Sequence, residues 1–227
     1  GTARMPAYPF QRPAWNKHAD ELLGKIGAAL AQYRGFAERG FRNVTVRQIA
    51  AAAGQKNHGA VTYYFSTKEN LAKEILVDGA KIMEAQRNAL LDALEAPKKP
   101  LCIRDLIEAI VLPSADLDEG DLANDQSFNR FLLDLSSNQP EMFTQALGGR
   151  WNVGYQRCLS HMRQLMPGLT EAEKNRRFVF LGAYLGSILA LREAMLSDQT
   201  RSHPIWQSRS TLDDIITTAV AMVSAPK

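Results

Sequence analysis

The segment from Val44 to Leu71 constrains the fold of this chain most, because it predicts two short helices separated by a glycine and followed by a third helix. Thr45 can cap the first helix by accepting a hydrogen bond from a free backbone amide. Gly54 can end that helix in the left-handed conformation that suits glycine. The apolar residues of the helix recur on one face, which predicts a buried stripe of Val46, Ile49, Ala50 and Ala53. This arrangement is the outline of a DNA-binding helix-turn-helix.

The second helix of this segment is predicted from Asn57 to Tyr64. It would bury Val61 and expose the polar side chains beside it. A third helix is predicted to begin at Ser66–Glu69, where the serine and the glutamate have the spacing of a capping box. Lys68 lies at this helix start, where its ammonium group could pair with a phosphate of bound DNA.

Three stretches in this part of the chain resemble the DNA-binding domain of the TetR family of transcriptional regulators. They are FAERGF at residues 36–41, TVRQIAAAAG at residues 45–54 and GAVTYYFSTKENL at residues 59–71. The resemblance covers about a quarter of the chain, from Leu22 to Leu76. Two departures stand out: QKNHG at residues 55–59 is one residue longer than is usual in the family, and Thr62 stands where a tyrosine is usual.

The resemblance implies an all-α protein with a helix-turn-helix DNA-binding domain over residues 14–76 and a larger helical ligand-binding and dimerisation domain over residues 77–227. It also implies double-stranded operator DNA as a partner. Carried over residue by residue, the DNA contacts would come from Thr45, Arg47, Lys56, Asn57, His58, Thr62, Tyr63, Tyr64 and Lys68. The alternative for each of these is an ordinary surface or packing residue.

The charge of the chain is unevenly distributed. Residues 1–75 contain 11 Lys and Arg against 5 Asp and Glu, whereas residues 76–227 contain 16 against 19. Positive charge thus accompanies the predicted DNA-reading helices, where it would supply affinity that does not depend on sequence. A solvated basic face is the alternative that charge alone leaves open.

The rest of the chain also predicts helices and no strands. One helix of about 20 residues near Asn16–Arg39 precedes the reading helices, and a long helix from Thr67 to about Leu94 would join the two domains. Further helices are predicted near residues 101–112, 122–136, 141–166, 171–197 and 211–223. Pro113, Pro140 and the pair Pro167-Gly168 mark breaks between them.

Two apolar segments near the C-terminus predict assembly. Residues 178–191, FVFLGAYLGSILAL, are apolar on nearly every side, and residues 215–223 offer a second apolar helix. A helix that is apolar all round needs neighbours on all sides. In the TetR family the last two long helices of each subunit usually form a dimer interface, so the resemblance implies a homodimer through helices 171–197 and 211–223 and a palindromic operator. An intrachain core is the alternative.

The sequence shows no persuasive catalytic, cofactor or metal motif, so an enzyme is not predicted. Cys158 and His161 are three residues apart in a predicted helix and form the one candidate nucleophile pair. With Cys102 the chain has two cysteines and no CxxC pair, which favours reduced thiols over a disulfide or zinc site. No run approaches the roughly 20 apolar residues that span a bilayer, and no signal-peptide pattern is present, so a cytoplasmic protein is expected.

The larger helical domain could enclose a regulatory ligand. The candidate lining residues are Phe128, Phe131, Trp151, Tyr155, His161, Phe180 and Tyr184. Aromatic residues at helical spacing are equally expected as ordinary core. The combined interpretation is a homodimeric transcriptional regulator, most often a repressor in this family, that releases its operator when a small-molecule effector binds. A helical ligand-binding or interaction dimer without sequence-specific DNA binding is the alternative.

Overall fold

The computed structural model describes residues 40–52, 65–96, 100–115, 128–198 and 200–226. Within these ranges the regular structure is helical throughout and contains no strand, which confirms the predicted all-α class. A short 3-10 helix, Phe41–Asn43, comes first. It is followed by α1 (Val46–Ala52), α2 (Lys68–Glu95), α3 (Ile103–Ala115), α4 (Phe128–Asn138), α5 (Pro140–Leu147), α6 (Val153–Gln164), α7 (Glu171–Ser197), α8 (Pro204–Gln207) and α9 (Arg209–Ser224). The helices predicted near residues 16–39 and 57–64 lie outside the described residues.

Helix α1 begins as the sequence predicts. The Thr45 hydroxyl oxygen accepts the Gln48 amide at 3.3 Å, and the Gln48 side-chain oxygen accepts the Thr45 amide at 2.9 Å. This reciprocal pair is a capping box with glutamine in the third helical position. Ile49 and Ala50 are buried and Val46 is half-buried, so the predicted apolar stripe faces the core over the part of it that is described.

The start of α2 differs from the prediction by one residue. Thr67, not Ser66, is the N-cap, and its hydroxyl accepts the Asn70 amide at 3.1 Å. Ser66 instead has a φ of 61°, and the Thr67 amide donates to the Phe65 carbonyl at 2.6 Å. This tight turn places Ser66 in the left-handed region, one residue ahead of the cap position that its hydroxyl was expected to fill.

Two further helix boundaries differ from the prediction, and one helix was not predicted. The helix predicted at 141–166 is two helices, α5 and α6, because Gly148 and Gly149 adopt φ values of 54° and 68° and end α5. Helix α3 continues through Pro113 to Ala115, and the Ser114 hydroxyl bonds the Ile110 carbonyl at 3.1 Å in this last turn. The short helix α8 was not predicted.

The buried apolar residues form two clusters. The first cluster joins the 3-10 turn, α1 and the first half of α2 to α4 and α5; it consists of Phe41, Val44, Ile49, Ala50, Phe65, Leu71, Ala72, Ile75, Leu76, Met83, Phe128, Phe131, Leu135 and Met142. The second cluster joins the end of α2 to α3, α6, α7 and α9, with Leu106, Met162, Leu181 and Ala219 among its fully buried members. Helix α2 runs through the predicted domain boundary at residues 76 and 77, so that division remains a prediction.

Helix α7 is long and apolar enough to cross a membrane by length and composition, contrary to the expectation that no run would reach this level. Core helices of water-soluble proteins can meet the same test. In this structure α7 packs against α4 and α9. Phe178, Leu181, Leu185 and Leu189 are buried and belong to the second cluster.

Candidate nucleic-acid interface

The predicted DNA-reading region is approached through the short 3-10 turn before α1. Gly40 is the N-cap residue of the turn and has a φ of 71°. Because glycine has no side chain, it makes no side-chain hydrogen bond to the first amides of the turn. The Phe41 amide nevertheless has a partner, because it donates to the Asp134 carboxylate of α4 at 2.8 Å. A residue 93 positions later in the sequence therefore caps the turn that leads into α1.

Lys68 holds the same turn from the other side. Its ammonium group donates to the backbone carbonyls of Phe41, Arg42 and Val44 at 2.9, 3.0 and 2.9 Å. It also lies 4.6 Å from the centroid of the Phe41 ring. An ammonium group has three protons, and all three are directed to these carbonyls here. The phosphate contact predicted for Lys68 remains a prediction, but in this geometry the side chain ties α2 to the start of α1.

Of the other predicted DNA contacts, the structure describes two. Thr45 and Arg47 are exposed at the N-terminal end of α1. Thr45 uses its hydroxyl and its backbone amide in the capping box, and its carbonyl accepts the Ile49 amide, so its methyl group is what it could offer to DNA. The Arg47 guanidinium is presented to solvent, as a phosphate or base contact requires. The remaining predicted contacts, Lys56, Asn57, His58, Thr62, Tyr63 and Tyr64, lie outside the described residues.

Arg42 adds a link between the turn and α4. Its guanidinium donates to the Asn138 carbonyl at 3.0 Å, at the last residue of α4. With the Gln139 amide oxygen turned toward it, the Arg42 Nε also donates to Gln139 at 2.6 Å. A free carbonyl at a helix C-terminus favours a cation. The turn thus carries two separate bonds to α4, one at Phe41 and one at Arg42.

The structure does not bring the predicted effector-binding residues into one place. Phe128 and Phe131 are buried in the first cluster, whereas Tyr155 and Tyr184 pack at the edge of the second. Trp151 lies at the surface side of α2, with Lys81 at 5.4 Å and Arg150 at 4.6 Å from its ring. His161 pairs with Glu95 at 2.9 Å, and Phe180 is exposed on α7. Their shared role in binding a ligand stays a prediction.

A buried ion pair in the larger helical region was missed by the sequence analysis. Glu84 and Arg87 of α2 are both buried and hydrogen-bonded to each other. The second Glu84 oxygen accepts the Gly154 amide at 2.6 Å and so caps the start of α6, while Arg87 reaches the Ile110 carbonyl of α3 at 3.5 Å. The pair therefore ties three helices together. Its spacing of three residues was visible in the sequence, but its burial was not.

Two buried polar atoms, one in this pair and one in the N-cap residue of α6, have no hydrogen-bond partner among the described residues. They are the Arg87 Nε and the Asn152 Oδ1. The Tyr155 ring centroid lies 6.0 Å from the Arg87 guanidinium carbon. Burial raises the pKa of its phenol, although the Arg87 charge acts in the opposite direction. Since buried polar atoms are nearly always satisfied, this region is one candidate for receiving a polar ligand group.

The Cys158–His161 pair is not arranged for nucleophilic catalysis. Burial raises the pKa of the Cys158 thiol to about 11, so the thiol is protonated near neutral pH. His161 uses its Nε2 to bond Glu95, which also accepts two bonds from Arg157. These contacts lower the pKa of Glu95, mainly through the Arg157 hydrogen bond, and place His161 in a bridge between α2 and α6.

Helix α7 presents an apolar surface away from the core. Val179 is 67% exposed and Phe180 is 58% exposed. Gly182, Ala183 and Ser187 are exposed along the following turns. The predicted all-round apolar character is therefore correct, and a large part of it faces outward. Exposed apolar patches of this kind typically mark an interaction surface.

Comparisons with known proteins identify the N-terminal part of the chain. Residues 31–75 match the family model of the bacterial regulatory proteins of the tetR family, which confirms the resemblance predicted from the sequence. The chain has no significant match among curated proteins.

Solved structures share the fold over most of the chain. A tetR-family regulatory protein from Rhodococcus RHA1 has a TM-score of 0.57 at 20% identity, covering 91% of this chain and 99% of the other. A probable transcriptional regulatory protein, RHA5900, has a TM-score of 0.51 at 22% identity, covering 90% and 96%. A superantigen, PfiT, has a TM-score of 0.50 at 18% identity, covering 91% and 98%. At these identities the likeness establishes the fold alone.

Proposed function

We propose that this chain, which carries a TetR-family segment at residues 31–75 on an all-α fold, is a transcriptional regulator that binds operator DNA. The observation that carries the proposal is the family match over the helix-turn-helix region. The geometry supports it, since α1 is capped by Thr45 and presents Arg47 to solvent at its N-terminal end. A regulator of this kind acts in the cytoplasm, where its DNA is.

The regulator would work as a homodimer through α7 and α9. The exposed Val179 and Phe180 form an apolar face, and the small residues Gly182 and Ala183 let another helix approach closely. A second copy of the chain fits this face because a two-fold axis pairs identical apolar surfaces. The same axis would set two helix-turn-helix units about one DNA turn apart and would require a palindromic operator.

The dimer would release its operator when a small-molecule effector binds, and so act as a repressor. The buried polar atoms of Arg87 and Asn152, with Tyr155 beside them, support a site between α2, α3 and α6. A ligand that bonds these atoms would bear both a hydrogen-bond donor and an acceptor. It could shift DNA affinity only by binding the DNA-competent and DNA-incompetent shapes unequally.

The first experiment is selection of bound fragments from a randomised duplex library at about physiological salt. A two-fold motif with half-sites about one helical turn apart is the expected result. Arg47→Ala should then relax the preference at one position of each half-site if Arg47 reads a base, while an exposed control such as Ser137→Ala should not.

A sequence-blind, salt-sensitive interaction, or none, would contradict operator binding. It would favour the alternative of a helical ligand-binding or interaction dimer, which the lengthened QKNHG segment at residues 55–59 keeps in view. The superantigen among the solved structures of similar fold also shows that this fold is not confined to proteins described as regulators.

A further inference from the structure

The Asp134 carboxylate is held in a defined orientation on α4. One oxygen accepts the Phe41 amide at 2.8 Å, and the other accepts the Asn138 side-chain amide at 2.7 Å. The Phe41 amide is the first donor of the 3-10 turn, and Gly40 gives it no side-chain cap. A hydrogen bond from an amide to a charged acceptor is about twice as strong as a neutral one. Asp134 therefore supplies, from a distant helix, the cap that the turn lacks.

The backbone passes close to this carboxylate. A Cβ atom built on Gly40 would lie 3.2 Å from the Asp134 Oδ1, which is tighter than an ordinary contact. The φ of Gly40 is 71°, a conformation that disfavours any residue with a side chain. Position 40 therefore favours glycine for two reasons, its left-handed backbone conformation and the closeness of the Asp134 carboxylate.

The turn has little freedom once these bonds are made. Lys68 binds its carbonyls from α2, and the Phe41 side chain and Val44 are buried in the first cluster. Thr45, the cap of α1, comes directly after Val44. The position of the start of α1 is therefore defined from two sides, by α2 through Lys68 and by α4 through Asp134.

The other end of α4 is attached to α7. The buried Glu193 carboxylate accepts the Asn129 and Arg130 amides at 2.9 and 3.0 Å, at the N-terminus of α4. Helix α4 also packs along α7. It is thus fixed by a carboxylate of α7 at its beginning, and it fixes the turn before α1 by its own carboxylate one turn before its end.

We propose that Asp134 is a positioning residue for DNA binding, which transfers the placement of α4 on α7 to the start of α1. The role rests on the proposed function, because it matters to DNA only if α1 belongs to a working helix-turn-helix. A shift of α4 relative to α2 moves the Phe41 amide through the Asp134 bond. Without that bond, α4 holds the turn only through the Arg42 bond to the Asn138 carbonyl, and the Lys68 bonds from α2 dominate the placement of α1.

The direct test needs no DNA. Amide hydrogen exchange is compared in the full chain for wild type, Asp134→Ala and Asp134→Asn, with Ser137→Ala as an exposed control on the same helix. Asp134→Ala should speed exchange of the Phe41 and Ile49 amides roughly tenfold, because a charge-assisted bond is lost, and should leave α6 and α7 unchanged. Asp134→Asn keeps an acceptor oxygen but loses the charge, so its exchange should fall between those of wild type and Asp134→Ala. Equal protection in all four proteins would overturn the proposal.

The second test uses the selected operator and a random duplex. Asp134→Ala and Asp134→Asn remove the same negative charge, so any effect of charge alone appears equally in both. Asp134→Ala should weaken operator binding roughly tenfold and leave random-duplex binding near that of the Asn variant. Identical operator affinities of the two variants would overturn the positioning role. If the wild-type protein selects no operator, the proposed function is wrong. The hydrogen-exchange measurement would still show whether Asp134 holds the turn to α4.

A folding defect in Asp134→Ala would not stop the test. Gly40→Ala leaves Asp134 in place but sets a methyl group against its carboxylate. It should raise exchange at Phe41 and Ile49 in the same pattern, because the methyl group crowds the carboxylate and because a side chain at a φ of 71° strains the backbone. Unchanged exchange in Gly40→Ala would show that the carboxylate does not hold the turn.

Discussion

Glu193 makes the stability of the protein depend on pH, and the size of the effect follows from its surroundings. The residue is 8% exposed, and burial raises the pKa of its carboxyl group from 4.5 to about 7, although three N–H groups and the charge of Arg130 act against the rise. Between these two pKa values the folded chain keeps a proton that the unfolded chain has released. The free energy of unfolding therefore falls as the pH rises through this interval.

The magnitude comes from the difference between the two pKa values. One pKa unit corresponds to about 1.4 kcal/mol. The contribution of Glu193 to the free energy of unfolding should therefore fall by about 3 kcal/mol between about pH 4.5 and about pH 8. Glu193→Gln removes the titration and keeps one oxygen to accept a bond from α4. Relative to wild type, its free energy of unfolding should therefore rise by about 3 kcal/mol between about pH 4.5 and pH 8.

The assay is urea unfolding of both proteins at fixed protein concentration across this pH range. Glu141→Gln, an exposed carboxylate on α5, is the matched control and should show no such change. Comparing each variant with wild type at the same pH removes the effect of other groups, such as Glu95 and Glu171, whose lowered pKa values make the protein less stable in acid. A constant difference between Glu193→Gln and wild type, or one that grows toward acid, would refute the reasoning.

Three further outcomes are expected. Gly79→Ala should lower Tm by several degrees, because the new Cβ would lie 2.1 Å from Phe128 Cζ, and this clash outweighs the helix preference of alanine over glycine of about 1 kcal/mol. Adding Phe128→Leu should recover part of the loss, and an unchanged Tm in Gly79→Ala would contradict the packing. Phe180→Asp should convert a dimer into a helical monomer in sedimentation equilibrium, and an unchanged dimer would place the interface elsewhere. In the native protein a thiol reagent should modify the exposed Cys102 at once and the buried Cys158 only on unfolding, and rapid modification of both would contradict the burial of Cys158.

Local signals in the sequence predicted the α1 cap and the length of α2 and α7. Thr45 was recognisable because an N-cap is made with residues three positions away, so its partner Gln48 is nearby in the sequence. The bounds of α7 coincide with the predicted residues 171–197 because a capping box at Thr170 begins the helix and a long apolar pattern continues it. The Ser66 cap was wrong because a one-residue change in backbone conformation moves the cap without changing the composition of the segment.

The site depended more on tertiary contacts. Lys68 was predicted to face a phosphate because it lies at a helix start, yet in the structure the carbonyls of a turn 24 to 27 residues earlier surround its ammonium group. The roles of Asp134 and Glu193 had no signal in the sequence. Each caps a backbone amide that is more than 60 residues away in the chain, and a carboxylate on a helix surface looks the same whether it faces water or another helix.

The sequence by itself determined the helical class, the resemblance of residues 31–75 to a known family and the apolar character of α7, because periodicity, caps and motifs are properties of neighbouring residues. Only the tertiary structure decided which polar groups are buried and which helices they connect. Burial decides whether a carboxylate is an ordinary solvated charge or, as at Glu193, a group whose pKa rises to about 7. That environment is created by helices brought together from distant parts of the chain, so no local pattern could specify it.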